Sequence, residues 1–301
     1  MRGVYFLSDD RIINLTTAFL NSFRRYNPSI PLCLVPFNAN IPKLSRLQEK
    51  YNFTIFSDND KLSLCDRISE RFHGHVVGAY RKLAMWEGEF DEFIYIDADS
   101  IVLENVGFAF QYLSSYDFVT GHSNIPGIVQ FVWKDSIRGT GKLTEDQIGF
   151  SANTGLIVSK KKALNLEIVK TRVEAAVELA PHMVLFCMEQ PFLNYLIVTS
   201  GRSFTSLLVL KKTGAAPHIP LDVWAGTKGG SVRGGKIFFK YSKPSPLMVQ
   251  WSGEWQPRSF DQFLFRILRF LRIKRKDDQP IPRYFMPYGK LWRYYRHLHD
   301  L

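Results

Sequence analysis

Phe93-Ile94-Tyr95-Ile96-Asp97-Ala98-Asp99-Ser100-Ile101-Val102-Leu103 reads as an apolar strand with two carboxylates at its C-terminal end and one small residue between them. Open α/β sheets bind ligands at that end of their strands. If the chain stays extended, residues i and i+2 face the same side, so Asp97 and Asp99 converge. Two adjacent carboxylates repel unless a cation lies between them. Their hard oxygens suit Mg²⁺ or Mn²⁺, which can also hold a diphosphate. The small Ala98 lets a ligand come close. The plainer alternative is a helix cap plus a solvated acid at a turn. A bare Asp-x-Asp is common by chance, and the apolar strand before it is what gives it weight.

The elements around this stretch alternate. Residues 3–7 form a first strand that ends at Ser8-Asp9-Asp10, and 12–26 have helical spacing at Ile12, Leu15, Phe19 and Phe23. Residues 31–37 read as a second strand, 41–51 as a helix and 53–56 as a third strand. Then come a helix over 79–87, the central strand 92–96, a helical segment 106–114 and a strand over 117–120. Residues 156–159 read as a strand, 161–179 and 189–199 as helices, and 247–251 as a last short strand. Strands alternating with helices predict an α/β domain with a mixed, mostly parallel central sheet flanked by helices. Residues 121–149 have weak periodicity and are expected to be a long loop or lid. The Gly-rich stretch 213–236 is expected to be a loop.

The chain has 301 residues, 46% hydrophobic and 22% charged, which excludes a mostly disordered chain. No apolar run reaches the roughly 18 residues of a membrane-spanning helix, and no secretory signal is expected at the N-terminus. Cys33, Cys65 and Cys187 follow no metal-ligand spacing, and three sparse cysteines suit reduced thiols in a cytosol. The net charge is +11, of which +7 falls in residues 258–301, where eleven Lys/Arg face four Asp. The body is therefore only mildly basic, which argues against nucleic acid as a partner. Within 260–276, Phe263, Leu264, Ile267, Leu268 and Leu271 keep helical spacing, while Arg266, Arg269 and Arg272 lie on another face. Such a helix suits peripheral contact with a membrane surface through 260–296, or ordinary packing on its own domain. The expected organisation is one α/β domain over 1–257 and a basic, aromatic, helical extension over 258–301.

Several separated motifs carry a family resemblance. Asp97-Ala98-Asp99 after its strand is similar to a Tyr-x-Asp-Ala-Asp segment, and Lys82-Leu83-Ala84-Met85-Trp86 is similar to the Lys-Leu-x-x-Trp helix that precedes it. Asn153-Thr154-Gly155 resembles an Asn-Ser/Thr-Gly strand. Glu189-Gln190-Pro191-Phe192-Leu193-Asn194 resembles Asp-Gln-x-x-Leu-Asn, with Glu for Asp. Gln250-Trp251-Ser252-Gly253-Glu254-Trp255-Gln256-Pro257 keeps the spacing of His-x-x-Gly-x-x-Lys-Pro, with Gln at both the His and the Lys positions. In this order the motifs resemble retaining glycosyltransferases of the GT-A fold, family eight and the glycogenin-like enzymes, over most of residues 1–257.

That resemblance implies a hexosyl-type transferase that moves a sugar from a nucleoside diphosphate donor, most readily a UDP-sugar, to an acceptor hydroxyl with retention. It implies a Mn²⁺ or Mg²⁺ ion held by Asp97, Asp99 and Gln250. The donor would meet Leu7, Ser8 and Asp9 at the base, Lys82, Gly253 and Gln256 at the phosphates, and Asp97, Ala98, Asn153, Thr154 and Gly155 around the sugar. Glu189 would reach a sugar hydroxyl, Gln190 would sit beside the anomeric carbon, and Asp99 completes the catalytic set. An amide ligates Mn²⁺ more weakly than an imidazole does, and losing the Lys removes a charge that offsets the leaving group; Lys82, Lys228 or Arg233 would compensate. The acceptor would be a glycan, lipid-linked or protein hydroxyl, and the site of action cytoplasmic or at the inner face of a membrane.

Two other readings compete. One is a catalytically weak sugar-nucleotide binding protein, motivated by Gln250 and Gln256. The other is a nucleotidyltransferase, which the missing Gly-rich phosphate loop after the first strand disfavours. Five of the seven histidines (73, 75, 122, 182, 218) lack the i, i+4 spacing of a zinc site and are expected to be solvated or structural, with His218 the best substitute metal ligand.

Overall fold

The structure, a computed structural model, describes residues 1–226, 230–239, 245–251 and 288–298. The expected helix 260–276 and the site residues Lys228, Gly253 and Gln256 lie outside the described residues.

The strands in chain order are β1 (Arg2–Ser8), β2 (Leu32–Pro36), β3 (Phe53–Ile55), β4 (Glu92–Ile96), β5 (Ser100–Val102), β6 (Phe118–Thr120), β7 (Leu156–Lys160), β8 (Phe204–Ser206), β9 (Val223–Trp224), β10 (Gly230–Arg233), β11 (Lys236–Phe239) and β12 (Met248–Gln250). Seven of them form the central sheet in the order β3-β2-β1-β4-β7-β6-β8. The pairs β1–β2, β1–β4, β2–β3 and β6–β8 are parallel, and β7 runs antiparallel to both neighbours. The sheet is thus mixed and mostly parallel, as expected. The chain builds outward from β1 first on one side and then on the other, so the strand order reverses at β1/β4. In open α/β sheets the ligand crevice lies outside the carboxyl ends at such a point, and Asp97 follows β4 there.

Both faces of the sheet are covered, and strand alternation sorts the side chains between them. Val4, Phe6, Ile94 and Ile96 pack with Phe19, Leu20 and Phe23 of helix α1 (Ile13–Tyr26). Tyr5, Leu7, Phe93 and Tyr95 pack on the other side with helices α2 (Asn59–His73), α3 (Leu166–Glu178) and α4 (Gln190–Thr199). Helix α2 starts at Asp58, whose side chain accepts from Lys61 N, and stops at Gly74 with φ +72°. It buries Leu62, Cys65, Ile68 and Phe72, and it is a helix the sequence reading leaves unassigned, with His73 at its end.

Three readings of the sequence change. The segment 79–87 is a 3₁₀ helix, Gly78–Glu87. Residues 121–149 are no lid: short helical pieces Pro126–Val129, Asp135–Thr140 and Glu145–Phe150 and the turn between the first two bury Val132, Trp133, Ile137, Ile148 and Phe150 in the main core. The last piece begins with a capping box between Thr144 and Gln147, which orders backbone that weak periodicity leaves unassigned. The end of the Gly-rich stretch is also ordered. β10 and β11 form a hairpin closed by Gly234 and Gly235, at φ +53° and +73°, the two-residue turn that needs positive φ at both positions.

A second, three-stranded sheet, β5-β12-β9, lies beside the first. It packs on Leu15 and Ala18 of α1 and on Leu291, Trp292 and Tyr295 of the C-terminal helix α5 (Gly289–Arg296). Asn21 Nδ2 donates to Tyr295 O at 2.7 Å, and Tyr295 Oη donates to Gly235 O at 3.0 Å. The described part of the expected extension therefore spends its apolar side on the body of the protein. None of the helices among the described residues is long and apolar enough to cross a membrane.

Candidate active site at the strand ends

The chain does not stay extended through the acidic pair. β4 ends at Ile96, Ala98 and Asp99 form a turn, and β5 begins at Ser100 in the second sheet. The i, i+2 alternation expected to bring Asp97 and Asp99 together does not operate. The turn is fixed by backbone bonds from Asp97 N to Gly155 O (3.0 Å) and from Trp251 N to Asp99 O (3.1 Å). Each acid is thereby tied to another motif of the sequence.

Asp97 Oδ1 accepts from Tyr95 Oη at 2.6 Å and lies 3.0 Å from Lys82 Nζ. Lys82 also lies 2.5 Å from Glu189 Oε1 and over the ring of Tyr95, 4.7 Å from its centroid. Burial opposes the Lys82 charge, but Asp97 and Glu189 outweigh it and raise its pKa, so the ammonium stays charged. Burial, assisted by Asp97, raises Glu189 against the pull of Lys82, and burial raises Tyr95, which stays a neutral donor. Lys82, expected at the donor phosphates, is thus a buried bridge between two motifs. Glu189, expected to reach a sugar hydroxyl, points at Lys82. One ammonium between two carboxylates leaves a net negative charge, which favours a further cation.

The Asn153-Thr154-Gly155 segment leads into β7. Asn153 Oδ1 accepts from Gly155 N (2.7 Å), and Thr154 Oγ1 donates to Glu189 Oε1 (3.4 Å). Gln190 Oε1 accepts from Thr154 N (3.3 Å), and its Nε2 donates to Phe131 O (3.1 Å). Asn194, one turn along α4, clamps Ala152 by accepting from its N–H and donating to its C=O. Five separated motifs were expected at one place, and contacts among the described residues join all five.

Gly155 is the centre of the arrangement. A Cβ there would meet Gln250 Oε1 at 2.6 Å, Asp97 Oδ2 at 2.8 Å and Asn153 Oδ1 at 3.1 Å. Three oxygens from three elements therefore surround one small cradle. Gln250 is 2% exposed, and neither its Oε1 nor its Nε2 has a hydrogen-bond partner among the described residues. A buried amide without a partner costs about 1–3 kcal/mol, which a ligand at the cradle would recover. Among the described residues no three His, Cys, Asp or Glu side chains cluster as a metal site. A cation here would need the amide as well as the carboxylates, and that all-oxygen set is of the kind Mg²⁺ and Mn²⁺ accept.

The end of β1 is different. Ser8 Oγ pairs with Thr16 Oγ1 (2.6 Å), and Ser8 O accepts from Phe37 N (2.9 Å). Leu7 is buried in the ladder opposite Val35. Asp9 accepts from Arg11 N, Arg11 Nε and Asn38 Nδ2, and caps the turn before α1. Asp10 accepts from Lys43 N and Leu44 N. Asp9, expected at the donor base, is thus committed to the loop it fixes.

Sequence reasoning passed over one further pair. His122 Nδ1 lies 2.8 Å from Asp222 Oδ1, and His122 O accepts from Asn153 N at 3.0 Å. Burial opposes the His122 charge, but Asp222 outweighs it and raises the imidazole above its ordinary value. A hundred residues separate the two; the only local signal was Gly121, where a Cβ would sit 2.5 Å from Asp222 Oδ1. His73 meets Tyr80 Oη, His75 meets His73 O, and His182 meets Ser136 Oγ. His218 is exposed, and Arg233 is exposed on the hairpin.

No protein-family model and no curated protein sequence matches the chain. Solved structures do. Apo WbbM, a bifunctional glycosyltransferase, superposes with a TM-score of 0.52 at 17% identity, over 88% of this chain and 49% of WbbM. An active-site mutant of LgtC superposes with a TM-score of 0.50 at 10% identity, over 92% of this chain and 98% of that one. The chain spans about half the length of WbbM. With the sheet order and flanking helices above, the fold is that of the GT-A glycosyltransferases.

Proposed function

We propose that the chain is a glycosyltransferase of the family-eight, glycogenin-like kind. It would move a hexosyl unit from a UDP-sugar to an acceptor hydroxyl on a glycan, lipid-linked or protein acceptor, with retention and with Mn²⁺ or Mg²⁺. The observation that carries this reading is the Gln250 amide, without a partner among the described residues, facing Asp97 and Asn153 across Gly155 at the strand-order reversal.

Asp97, Asp99 and Gln250 would hold the cation, which when bound neutralises charge gathering on the departing diphosphate. Lys82 holds Asp97 and Glu189 in place and keeps their charges from repelling. Asn153 and Thr154 offer polar groups to the sugar, and Gly155 keeps its approach open. Gln190, tethered at both ends of its amide, presents a fixed dipole to the developing positive charge at the anomeric carbon. Leu7 and Ser8 offer backbone groups to the base, and Gly253 and Gln256 would meet the phosphates. No protein nucleophile is assigned, and the acceptor's proton passes to the leaving phosphate. The domain unit is residues 1–257, and 258–301 would bring it to the cytoplasmic face of a membrane. Because the apolar side of α5 is spent on α1, that contact would rest on residues before it.

The test is incubation with UDP-hexoses and Mn²⁺, followed by release of UDP. Metal-dependent release that Asp99→Ala abolishes is the expected result. No turnover and no metal-dependent donor binding would overturn the proposal. A second reading, a weak or inactive sugar-nucleotide binding protein, is favoured by Gln250 in place of an imidazole. Donor binding that persists without turnover across varied acceptors would establish it.

A further inference from the structure

We propose that His122, Asp222 and Trp224 form a saccharide subsite beside the Gly155 cradle, with the indole beneath a pyranose ring and the imidazole Nε2 on a ring hydroxyl. That a sugar reaches this place rests on the glycosyltransferase reading; the subsite itself rests on the following geometry.

His122 follows the C-terminal end of β6, and its carbonyl holds Asn153 N. It therefore stands one hydrogen bond from the cradle segment. Asp222, 6% exposed, sets Oδ1 2.8 Å from Nδ1 as a charge partner. Gly121 makes this possible, since any side chain there would displace the carboxylate. Fixing one ring nitrogen decides what the other presents. Nε2 has no protein partner among the described residues, and the side chain is 21% exposed.

Trp224 adds the second half. Residues 221–225 run extended beside β12, bonded at both ends by Leu247 N to Leu221 O (2.9 Å) and Ala225 N to Gln250 O (2.8 Å). Asp222 and Trp224 are i and i+2 in that segment and share a face. Trp224 pairs in register with Gln250, so its side chain lies on the face from which Gln250 reaches the cradle. The indole rests on Gly226, where a Cβ would come within 2.5 Å of it, and yet Trp224 remains 50% exposed. A supported, half-open aromatic face beside an oriented polar group suits a ring that is apolar on its C–H face and polar at its edge. None of these three side chains has a part in the mechanism above.

The pyranose could belong to the donor or to the acceptor, and the experiment separates them. Methyl β-D-glucopyranoside, methyl β-D-galactopyranoside, methyl α-D-mannopyranoside and methyl N-acetyl-β-D-glucosaminide are titrated into the full chain by ligand-detected NMR and calorimetry, with and without UDP and Mn²⁺. UDP, UDP-glucose and UDP-galactose are titrated in parallel. The expected result is binding of at least one sugar, weakened about tenfold by Trp224→Ala and by His122→Gln, as loss of a stacking or hydrogen-bonding contact gives. Trp224→Phe restores part of it, and UDP affinity stays within about twofold. Loss confined to the added affinity of a UDP-sugar over UDP assigns the donor ring. Loss of methyl pyranoside binding in the UDP-bound protein assigns the acceptor. Thermal melting establishes that each variant folds. If none of the four glycosides binds and the UDP-sugars gain nothing over UDP, or if folded Trp224→Ala and His122→Gln bind like the parent, the subsite is refuted. If the parent protein binds no UDP, the nucleotide reading fails instead, and the glycoside titrations still judge the subsite.

Discussion

Two strands of this sheet end in acids, and the two ends are put to different uses. After β1, Asp9 and Asp10 are satisfied by neighbouring backbone and by Arg11 and Asn38. After β4, Asp97 is satisfied on one oxygen by Tyr95 and Lys82, while its other oxygen faces a buried amide that has no partner among the described residues. Buried polar groups are almost always paired. An end where pairing is complete builds structure, and the end left open is the one where the proposed function puts its ligand.

Lys82→Met tests the β4 end most severely. It strands Asp97 and Glu189 in the interior, and breaking a buried pair in this way costs about 3–5 kcal/mol. Urea denaturation should show that loss; a change near zero would mean that neither acid needs the ammonium. Gly155→Ala should act on the ligand instead. Its methyl group would fill the space between Gln250, Asp97 and Asn153, lowering Mn²⁺-dependent UDP affinity by about 10–100-fold, the scale seen when metal-ligand surroundings are disturbed. Calorimetry that finds equal affinity would remove the cradle from the site.

Asp10→Ala sharpens the contrast from the β1 end. Losing a side chain that accepts from two helix-terminal amides should cost about 0.5–2 kcal/mol of stability and leave UDP affinity as it was. Asp222→Asn should have the smallest effect. His122 is raised in the folded state, so the pair's stabilisation is full below the ordinary imidazole value of about 6.5 and is lost as pH rises through the folded value. An NMR titration of the imidazole should move downward in the variant, and the stability difference from the parent should fade toward alkaline pH.

Much of this was legible from local patterns. The apolar run 93–96 gave β4, and helical spacing gave α1 and α4, whereas α2, bounded by Asp58 and Gly74, has no place in the sequence reading. Where the reading failed, a distant partner decided. Residues 121–149 lack a period because their buried side chains point into a core built by α2, α3 and α4, not along one face of their own. The 97–99 turn follows from pairing with Gly155 and Trp251, which no spacing within residues 93–103 encodes.

The sequence by itself determined the strand-helix alternation, the position of the acids at a strand end and the set of motifs that accompany them, because hydrophobic period and turn chemistry act over a few residues. Only the tertiary structure decided that Lys82 bridges Asp97 and Glu189, that Gln250 is left without a partner among the described residues, and that His122 finds Asp222. Charge pairing and desolvation depend on which groups the folded chain brings within a few ångströms, and that proximity is a property of the packed sheets rather than of any segment.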